Sequence, residues 1–367
     1  MAEEQRESGT EVVKKKPLRP ALIASEHTVS EYSIFLRHLL VGLADESIPT
    51  ALVYPARCDV GSAIPPLVEV IRHPAFDLPL LWRQNRRRLI ERLSDFKPSV
   101  LHCLCESKAP LARRLAWELD LPYVLTVNSL QRRFGRLFIS SKRCAKIIVP
   151  AESIATNLAK VYPRFAERIE RINVGTFAEE TVGCFREPEG LVSMVTAHSF
   201  DKVGDFENLF RAVKHLVIDG YEILLVVVSG GRAEREMWKL LRSLGLLWIV
   251  TVVPRLEPWR SVLAAGDIFV QPVANDSFSP FLLEAMSAGA VVASCKGGVD
   301  DLIIEDKTAI VFDPGDELSI RSSLQRLFDR RELARQIATA AQQYLRENHT
   351  VSQMISSTLQ VYRDAQS

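Results

Sequence analysis

The chain has 367 residues, of which 47% are hydrophobic and 25% charged, with a net charge of +1, which is typical of a globular protein long enough for two domains. No apolar run reaches the roughly 18 residues of a membrane-spanning helix, and the charged N-terminus lacks a signal-peptide core, so we expect a cytoplasmic protein. The six cysteines lie mostly in apolar segments without Cys-x2-Cys spacing, which excludes a disulfide framework and a zinc site.

Residues 1–17 are polar and end in a lysine cluster, which predicts a disordered tail. Residues 18–177 then alternate apolar runs with amphipathic stretches, which is the βαβ pattern of a doubly wound parallel sheet. We interpret them as a first Rossmann-like domain, in which Ser30 is placed to cap the first helix. The predicted strands are residues 21–24, 50–54, 99–104, 123–127 and 147–149, and the predicted helices include residues 34–43 and 80–93.

Residues 178–190 are rich in Glu, Gly and Pro and predict a linker. The alternation restarts at residue 191 and extends to residue 350, which predicts a second Rossmann-like domain in an α/β protein, with a cleft between the two. Residues 351–367 predict a final helix. The predicted strands of the second domain include residues 191–195, 223–228, 249–253, 267–271 and 290–294.

The most specific stretch is residues 275–298, which follows a predicted strand and reads as a loop, a helix ended by Gly289, and the next strand. In a parallel sheet, this unit puts the loop and the helix N-terminus at the carboxyl ends of the strands, where backbone amides attract a phosphate. Asp276 and Glu284 lie eight residues apart. Both carboxylates can face one crevice, Asp276 toward a sugar and Glu284 toward a ribose diol.

Residues 283–289, Leu-Glu-Ala-Met-Ser-Ala-Gly, and the Gly-Gly pair at 297–298 resemble the signature of the family-4 retaining glycosyltransferases with the GT-B fold, also called glycosyl transferases group 1. The resemblance implies two Rossmann-like domains facing across a cleft. It also implies transfer of a sugar, of the hexosyl type, from a nucleotide-diphosphate sugar with retention of configuration. The final helix would cross back to the first domain. No metal and no cofactor are implied, because the donor is a co-substrate and there is no Asp-x-Asp run.

The resemblance also implies roles for individual residues. His102, at a predicted strand end, matches a histidine that the family often has, although a histidine bonded within the core is the alternative for this position. Asp276 and His102 are thus the candidate catalytic residues. The candidates for binding the donor are Glu284, Lys202, His198, Phe278, Ser279, Gly230 and Gly298.

Several positions depart from the family pattern. Asp276 is one methylene shorter than the family's glutamate, Ser279 replaces a glycine, and residues 25–30 contain no glycine. Asn128 stands where a histidine is common, and Lys202 lies two residues early with no arginine nearby. These departures favour an alternative, a non-catalytic glycosyltransferase-like binding or scaffold protein. A phosphorylase or synthase of similar fold is a third interpretation.

The first half of the chain is also strongly basic, because residues 72–146 contain 16 basic and 6 acidic side chains. In residues 80–89 and 131–138, arginines alternate with aromatic and leucine side chains, which predicts contact with an anionic membrane surface, peripheral at its inner face, or with an anionic lipid-linked acceptor. The alternative is that Trp82 and Leu89 belong to the core and the arginines to its solvated edge. The acceptor is otherwise an unspecified glycan or small molecule, and nucleic acid is not expected.

Overall fold

The computed structural model describes residues 17–60, 64–73, 82–132, 137–187, 190–198, 202–229, 233–254 and 259–367, and these ranges form two parallel α/β sheets. The predicted tail up to residue 16 and Gly230 lie outside the described residues. Parallel sheets are covered by helices on both faces, so their strands are continuous apolar runs, as in Ile-Leu-Leu-Val-Val-Val. The predicted α/β class with two Rossmann-like domains is confirmed.

The first sheet has the order β3-β2-β1-β4-β5-β6-β7, and all of its pairings are parallel. The strand order reverses between β1 and β4. In chain order the elements are β1 (Pro20–Ile23), α1 (Glu26–Ser30), α2 (Ser33–Asp45), β2 (Thr50–Pro55), β3 (Val68–His73), α3 (Trp82–Phe96), β4 (Val100–Cys103), α4 (Ala109–Glu118), β5 (Tyr123–Thr126), β6 (Cys144–Val149), α5 (Glu152–Val161) and β7 (Ile169–Arg171).

The second sheet has the order β10-β9-β8-β11-β12-β13, again with parallel pairings, and its order reverses between β8 and β11. Its elements are β8 (Val192–Ala197), α6 (Gly204–Ile218), β9 (Ile223–Ser229), α7 (Glu234–Leu244), β10 (Val250–Pro254), α8 (Trp259–Ala264), β11 (Ile268–Gln271), α9 (Pro280–Ser287), β12 (Val291–Ser294), β13 (Ile310–Val311), α10 (Glu317–Asp329), α11 (Arg331–Asn348) and α12 (Val351–Gln366).

The last helix, α12, packs against α2 of the first domain and fills the face of the first sheet opposite α3 and α4. The two helices are close at Gly42 of α2, where a methyl group would lie 2.4 Å from a side-chain carbon of Ile355. On the other face, the core around Leu89 and Leu93 is continuous with that around Phe281 in α9. A shared hydrophobic core therefore joins the two domains.

The start of the first helical region differs from the prediction that Ser30 caps it. The predicted helix is α2, whose N-cap position is Tyr32 and which has no side-chain capping bond. Ser25 caps the separate, shorter helix α1: its Oγ accepts from the Thr28 amide at 3.1 Å, and the Thr28 hydroxyl accepts from the Ser25 amide at 3.2 Å. Ser30 is the last residue of α1, and α2 starts separately at Ser33. A capped helix thus occupies the segment where the family pattern has a glycine loop.

Across the described ranges, no helix combines the length and the apolar character needed to cross a bilayer.

Candidate functional site

Each sheet has a switch point, which is the point at which its strand order reverses. The switch points locate the candidate site, because ligands of open α/β sheets bind there, beyond the carboxyl ends of the strands. In the second domain, the loop between β11 and α9 carries Asp276, and His198 follows β8. In the first domain, the segments after β4 and β5 lie at the corresponding edge. The loop between β11 and α9, residues 272–279, is called the signature loop below. The site is thus bordered by the signature loop on one side and by residues 104–108 and 127–130 on the other.

Helix α9 is held rigidly at this edge. Ser279 is its N-cap and accepts from the Leu282 amide at 3.2 Å, and Pro280 occupies its first turn. All eight residues of α9 are buried, and Gly289 follows it with a φ of +84°, the left-handed conformation that ends helices. The sequence signature therefore builds a short, fully packed helix whose N-terminus points to the cleft.

The signature loop is bonded directly to the first domain. The Leu130 amide donates to the Asp276 carbonyl at 2.7 Å, and the Phe278 amide donates to the Asn128 carbonyl at 2.9 Å. The Tyr32 hydroxyl donates to the Phe278 carbonyl at 2.7 Å. The Phe278 amide, predicted to bind phosphate, is thus bonded to protein in this arrangement, whereas the Asp276 side chain is exposed.

Glu106 holds residues 128–129, the segment of the first domain that is bonded to the signature loop. Its Oε1 accepts from the amides of Asn128 and Ser129 at 2.5 and 2.8 Å and from the Ser129 hydroxyl at 3.0 Å. Burial raises the pKa of this carboxyl group, and the same hydrogen bonds oppose that rise. Glu106 is not among the site residues predicted from the sequence, although its position three residues after a buried strand end is a usable signal.

A second cross-domain contact involves Asp301, which follows the Gly-Gly pair. Its Oδ1 accepts from the amides of Glu152 and Ser153 at 2.6 and 3.1 Å, and its Oδ2 accepts from the Ser153 hydroxyl. These are the first two residues of α5, whose own N-cap position is an alanine. A carboxylate of the second domain thus caps a helix of the first.

Glu284 lies in a buried network rather than at an open surface. Its Oε1 accepts from the Thr176 hydroxyl at 2.7 Å, and its Oε2 is 3.0 Å from Nε of Arg260 in α8. Arg260 also donates to the Phe177 carbonyl at 3.1 Å. Burial raises the pKa of Glu284, and Thr176 and Arg260 oppose that rise. The carboxylate therefore ties α9 to α8 and to residues 176–177, and its role toward a ribose stays a prediction.

Gly298 packs closely against the backbone of the signature loop. The Asn275 carbonyl accepts from the Val299 amide at 2.7 Å, and Gly298 has a φ of +69°. A methyl group at Gly298 would lie 2.3 Å from the Asn275 carbonyl oxygen, closer than two such atoms can approach. Only glycine fits here, because both the backbone angle and the close contact exclude a side chain.

His102 has the environment of a core histidine, the alternative considered from the sequence. Its Nδ1 is 2.6 Å from the Tyr362 hydroxyl of α12, and its Nε2 is 2.7 Å from the Thr126 hydroxyl. Burial lowers its pKa to about 3, so the imidazole is neutral at pH 7. Both ring nitrogens bond to protein, and the side chain fastens α12 to the first sheet.

The residues predicted to bind the diphosphate are only partly described. Lys202 is exposed just before α6, and the His198 ring centroid lies 5.8 Å from that of Phe206. Both follow β8 and so lie at the edge of the sheet that carries the signature loop. Their roles stay predictions, as does that of Gly230. Among the described residues, no group of three His, Cys, Asp or Glu side chains is placed to hold a metal ion.

Two buried polar side chains flank the switch point without a partner in the described part of the chain. They are the amide nitrogen of Gln271, the last residue of β11, and the hydroxyl of Thr196 near the end of β8. Buried polar groups almost always form hydrogen bonds, so an unbonded donor at a strand end indicates a place for a ligand or water. Neither residue is among the site residues predicted from the sequence.

This architecture, two parallel α/β domains with a signature loop at a switch point, is that of a protein with two Rossmann-like domains. Comparison with models of protein families identifies the family of this chain. The model described as Glycosyl transferases group 1 matches residues 185–344, and the model described as Glycosyltransferase Family 4 matches residues 15–177. The chain belongs to the family-4 glycosyltransferases with the GT-B fold, which confirms the family predicted from the signature.

Two curated proteins are similar in sequence. The sulfoquinovosyl transferase SQD2 of Arabidopsis thaliana is 24% identical over 282 residues, which span 70% of this chain and 55% of that protein. A sucrose synthase of Denitrovibrio acetiphilus is 28% identical over 180 residues, or 42% of this chain and 22% of that protein. The aligned region thus spans about half of one relative and less than a quarter of the other.

Solved structures agree with the fold. Anabaena HepE, determined in complex with UDP and glucose, superposes with a TM-score of 0.75 at 12% identity and covers 94% of this chain and 98% of its own. A glycosyltransferase from Rickettsia africae has a TM-score of 0.74 at 14% identity, with 95% and 98% covered. At these identities the likeness establishes the GT-B fold alone.

Proposed function

We propose that this protein binds a nucleotide-diphosphate sugar at the switch point of the second sheet and transfers the sugar, with retention of configuration, to an acceptor held by the first domain. The observation that carries the proposal is the buried amide of Gln271, unbonded in the described part of the chain, at the end of the strand β11 that leads into the loop with the exposed Asp276 side chain. The rigid N-terminus of α9 faces the same edge and favours a phosphate there. Structures of HepE with UDP and with UDP-glucose support a donor of this class.

Nucleotide sugars should stabilise the protein if the proposal is correct. A ligand at 100 times its dissociation constant adds about 2.7 kcal/mol of stability when it binds only the folded state. We therefore expect one member of a panel of nucleotide-diphosphate sugars to raise the melting temperature in a thermal-shift assay. The free sugars serve as controls, and a panel without any shift would contradict the donor site.

Asp276→Asn should lower kcat by at least tenfold and change donor affinity little. In the proposed reaction the carboxylate acts on charge that develops at the sugar in the transition state, so its loss affects the chemical step more than binding. Steady-state kinetics and donor titration of the same variant test this. Ser277→Ala, a change in the neighbouring loop residue, is the matched control, and equal losses in kcat and affinity would make Asp276 a binding group only.

A non-catalytic binding or scaffold protein is the second candidate function. It is favoured by the hydrogen bonds that occupy the Phe278 amide and by the partners of the Glu284 carboxylate, since both groups are committed to protein contacts. Under this alternative the wild type binds a nucleotide sugar but shows neither transfer nor hydrolysis with any donor. The donor panel followed by a turnover assay therefore separates the two functions.

We also propose that the basic first domain engages an anionic acceptor, lipid-linked or free, or an anionic membrane surface at which the protein is peripheral. The motive is the excess of basic residues between positions 72 and 146. Part of the predicted interfacial pattern, including the Trp82 side chain and residues 133–136, lies outside the described residues, and the Leu89 side chain is buried in the core. The structural support for this proposal is that several described arginines of this domain line cavities.

A further inference from the structure

The first domain contains a basic cavity away from the signature loop. It lies between α3 and α4, has a volume of about 660 Å³, and is lined on its polar side by His73, Arg86, Arg113 and Arg114. The acidic side chain among its lining residues is Glu118, whose Oε1 is 3.6 Å from a guanidinium nitrogen of Arg86. Among the described lining residues, three arginines are accompanied by one carboxylate, so this part of the lining carries a net positive charge.

Two aromatic side chains complete the cavity. Trp117 and Phe138 also line it and are 52% and 45% exposed, far more than the aromatic residues of the cores. Large exposed rings in a concave, charged site are typical of places that bind a ligand with an apolar or ring-shaped face. The volume falls within the range of small-molecule sites, about 300 to 1,000 Å³.

One end of the cavity reaches the edge of the sheet that borders the cleft. Pro110 and Leu111, in the first turn of α4, line it, and α4 starts directly after the turn that contains Glu106. Glu106 in turn holds residues 128–129 beside the signature loop. His73, the last residue of β3, lies at the same carboxyl edge of the sheet. A ligand in the cavity can therefore extend toward the site proposed for sugar transfer.

A second basic cavity of about 380 Å³ adjoins the first across α3. It is lined by Arg72, Arg88 and Arg92 and shares His73 with its neighbour. Arg87, by contrast, lines neither cavity, since it lies on the exposed face of α3 and its Nε donates to Glu91 at 2.9 Å. Some arginines of this region thus line cavities, and others lie on the open surface. Substitutions of the two kinds can distinguish a local binding site from a diffuse basic field, which is the general positive charge of the surface.

We propose that the cavity between α3 and α4 binds a phosphate- or sulfate-bearing sugar unit or headgroup, with the anion on Arg113 and the ring or chain against Trp117. The proposal rests on the proposed transfer function, because it assigns this group to the acceptor. Guanidinium groups suit tetrahedral oxyanions, since their donors match two oxygens at once. The anion can come from a soluble sugar phosphate or from a lipid headgroup.

The test uses the full-length protein labelled with 5-fluorotryptophan, in which Trp117→Phe assigns the Trp117 resonance. Glucose 1-phosphate should shift that resonance saturably, and glucose should not. Vesicles of phosphatidylglycerol, compared with phosphatidylcholine, form the second arm. Arg113→Ser should weaken the response at least tenfold, whereas Arg87→Ser, which removes the same charge from the open face of α3, should leave it unchanged.

A response to phosphatidylglycerol but not to glucose 1-phosphate, with the same sensitivity to Arg113→Ser, supports the site and assigns its anion to a lipid. Equal losses in Arg113→Ser and Arg87→Ser would reduce the cavity to part of a diffuse basic field, and no response to either probe would also overturn the proposal. No nucleotide sugar is present in this titration. The absence of a Trp117 response would therefore contradict the cavity site, whereas the absence of any thermal shift in the donor panel would contradict the proposed donor site.

Discussion

Glu284→Gln should weaken binding of the nucleotide-diphosphate donor by about 1.5 to 3 kcal/mol, or roughly 10- to 150-fold. If the carboxylate binds the ribose diol, the change replaces a charged acceptor by a neutral amide in a buried site, where charge-assisted hydrogen bonds are strongest. The same change removes the nearer of two carboxylates beside Arg260, since Glu179 lies at 3.8 Å, and should lower the free energy of unfolding by about 1 to 3 kcal/mol. Isothermal titration and urea unfolding measure the two effects.

Arg260→Gln is the matched control, because it breaks the same ion pair from the other side. If Glu284 serves only to connect α9 with α8 and Thr176, both variants should lose stability and leave donor affinity unchanged. If it also binds the ribose, donor affinity should fall much further in Glu284→Gln. A double-mutant cycle then gives the coupling energy of the pair, and unchanged donor affinity in Glu284→Gln would exclude this carboxylate from the donor site.

Gly298→Ala should destabilise the protein by about 3 to 4 kcal/mol, the sum expected from a left-handed backbone angle and an overpacked contact. The new methyl group would lie 2.3 Å from the Asn275 carbonyl oxygen, so the loop that carries Asp276 would have to move. Because a backbone atom is the obstacle, a side-chain rotation cannot relieve it. Chemical denaturation measures the loss, and transfer activity should fall with it.

Gly297→Ala separates the two causes in Gly298→Ala. Gly297 also has a positive φ, of +108°, but a methyl group there would meet only the Cβ of Ala274 at 3.5 Å, an ordinary contact. It should therefore cost only the conformational part, about 1 to 2 kcal/mol. Equal losses in both variants would show that the contact with Asn275 relaxes without cost.

The fold was predictable because its signals are local. Apolar runs such as β9 read as buried strands, and the stretch from Asp276 to Gly298 identified the family and the unit around α9. The site was predictable only in part, because its partners are far apart along the chain. Thr176 and Glu284 are 108 residues apart, and nothing near Arg260 marks it as a partner of a carboxylate.

Two local signals also gave wrong or incomplete results. Ser30 is a good capping residue, but it is the last residue of α1, where its hydroxyl donates to the Glu26 carbonyl at 3.0 Å, and α2 starts at Ser33 without a side-chain cap. His102 lies at a strand end as predicted, yet a hydroxyl group of α12, 260 residues away, occupies its Nδ1. In both cases the outcome depends on which partner completes the hydrogen bonds, and a pattern of residue types does not contain that information.

The cap that Asp301 provides for α5 makes one helix of the first domain depend on the position of the second. If the two domains separate at this contact, the amides of Glu152 and Ser153 lose their acceptor, because Ala151 offers no side-chain oxygen in its place. Deuterium uptake at these two amides thus follows the opening of the cleft itself. These two amide protons of the first domain, bonded to a residue that follows the Gly-Gly pair of the second, would therefore report movement of one domain against the other.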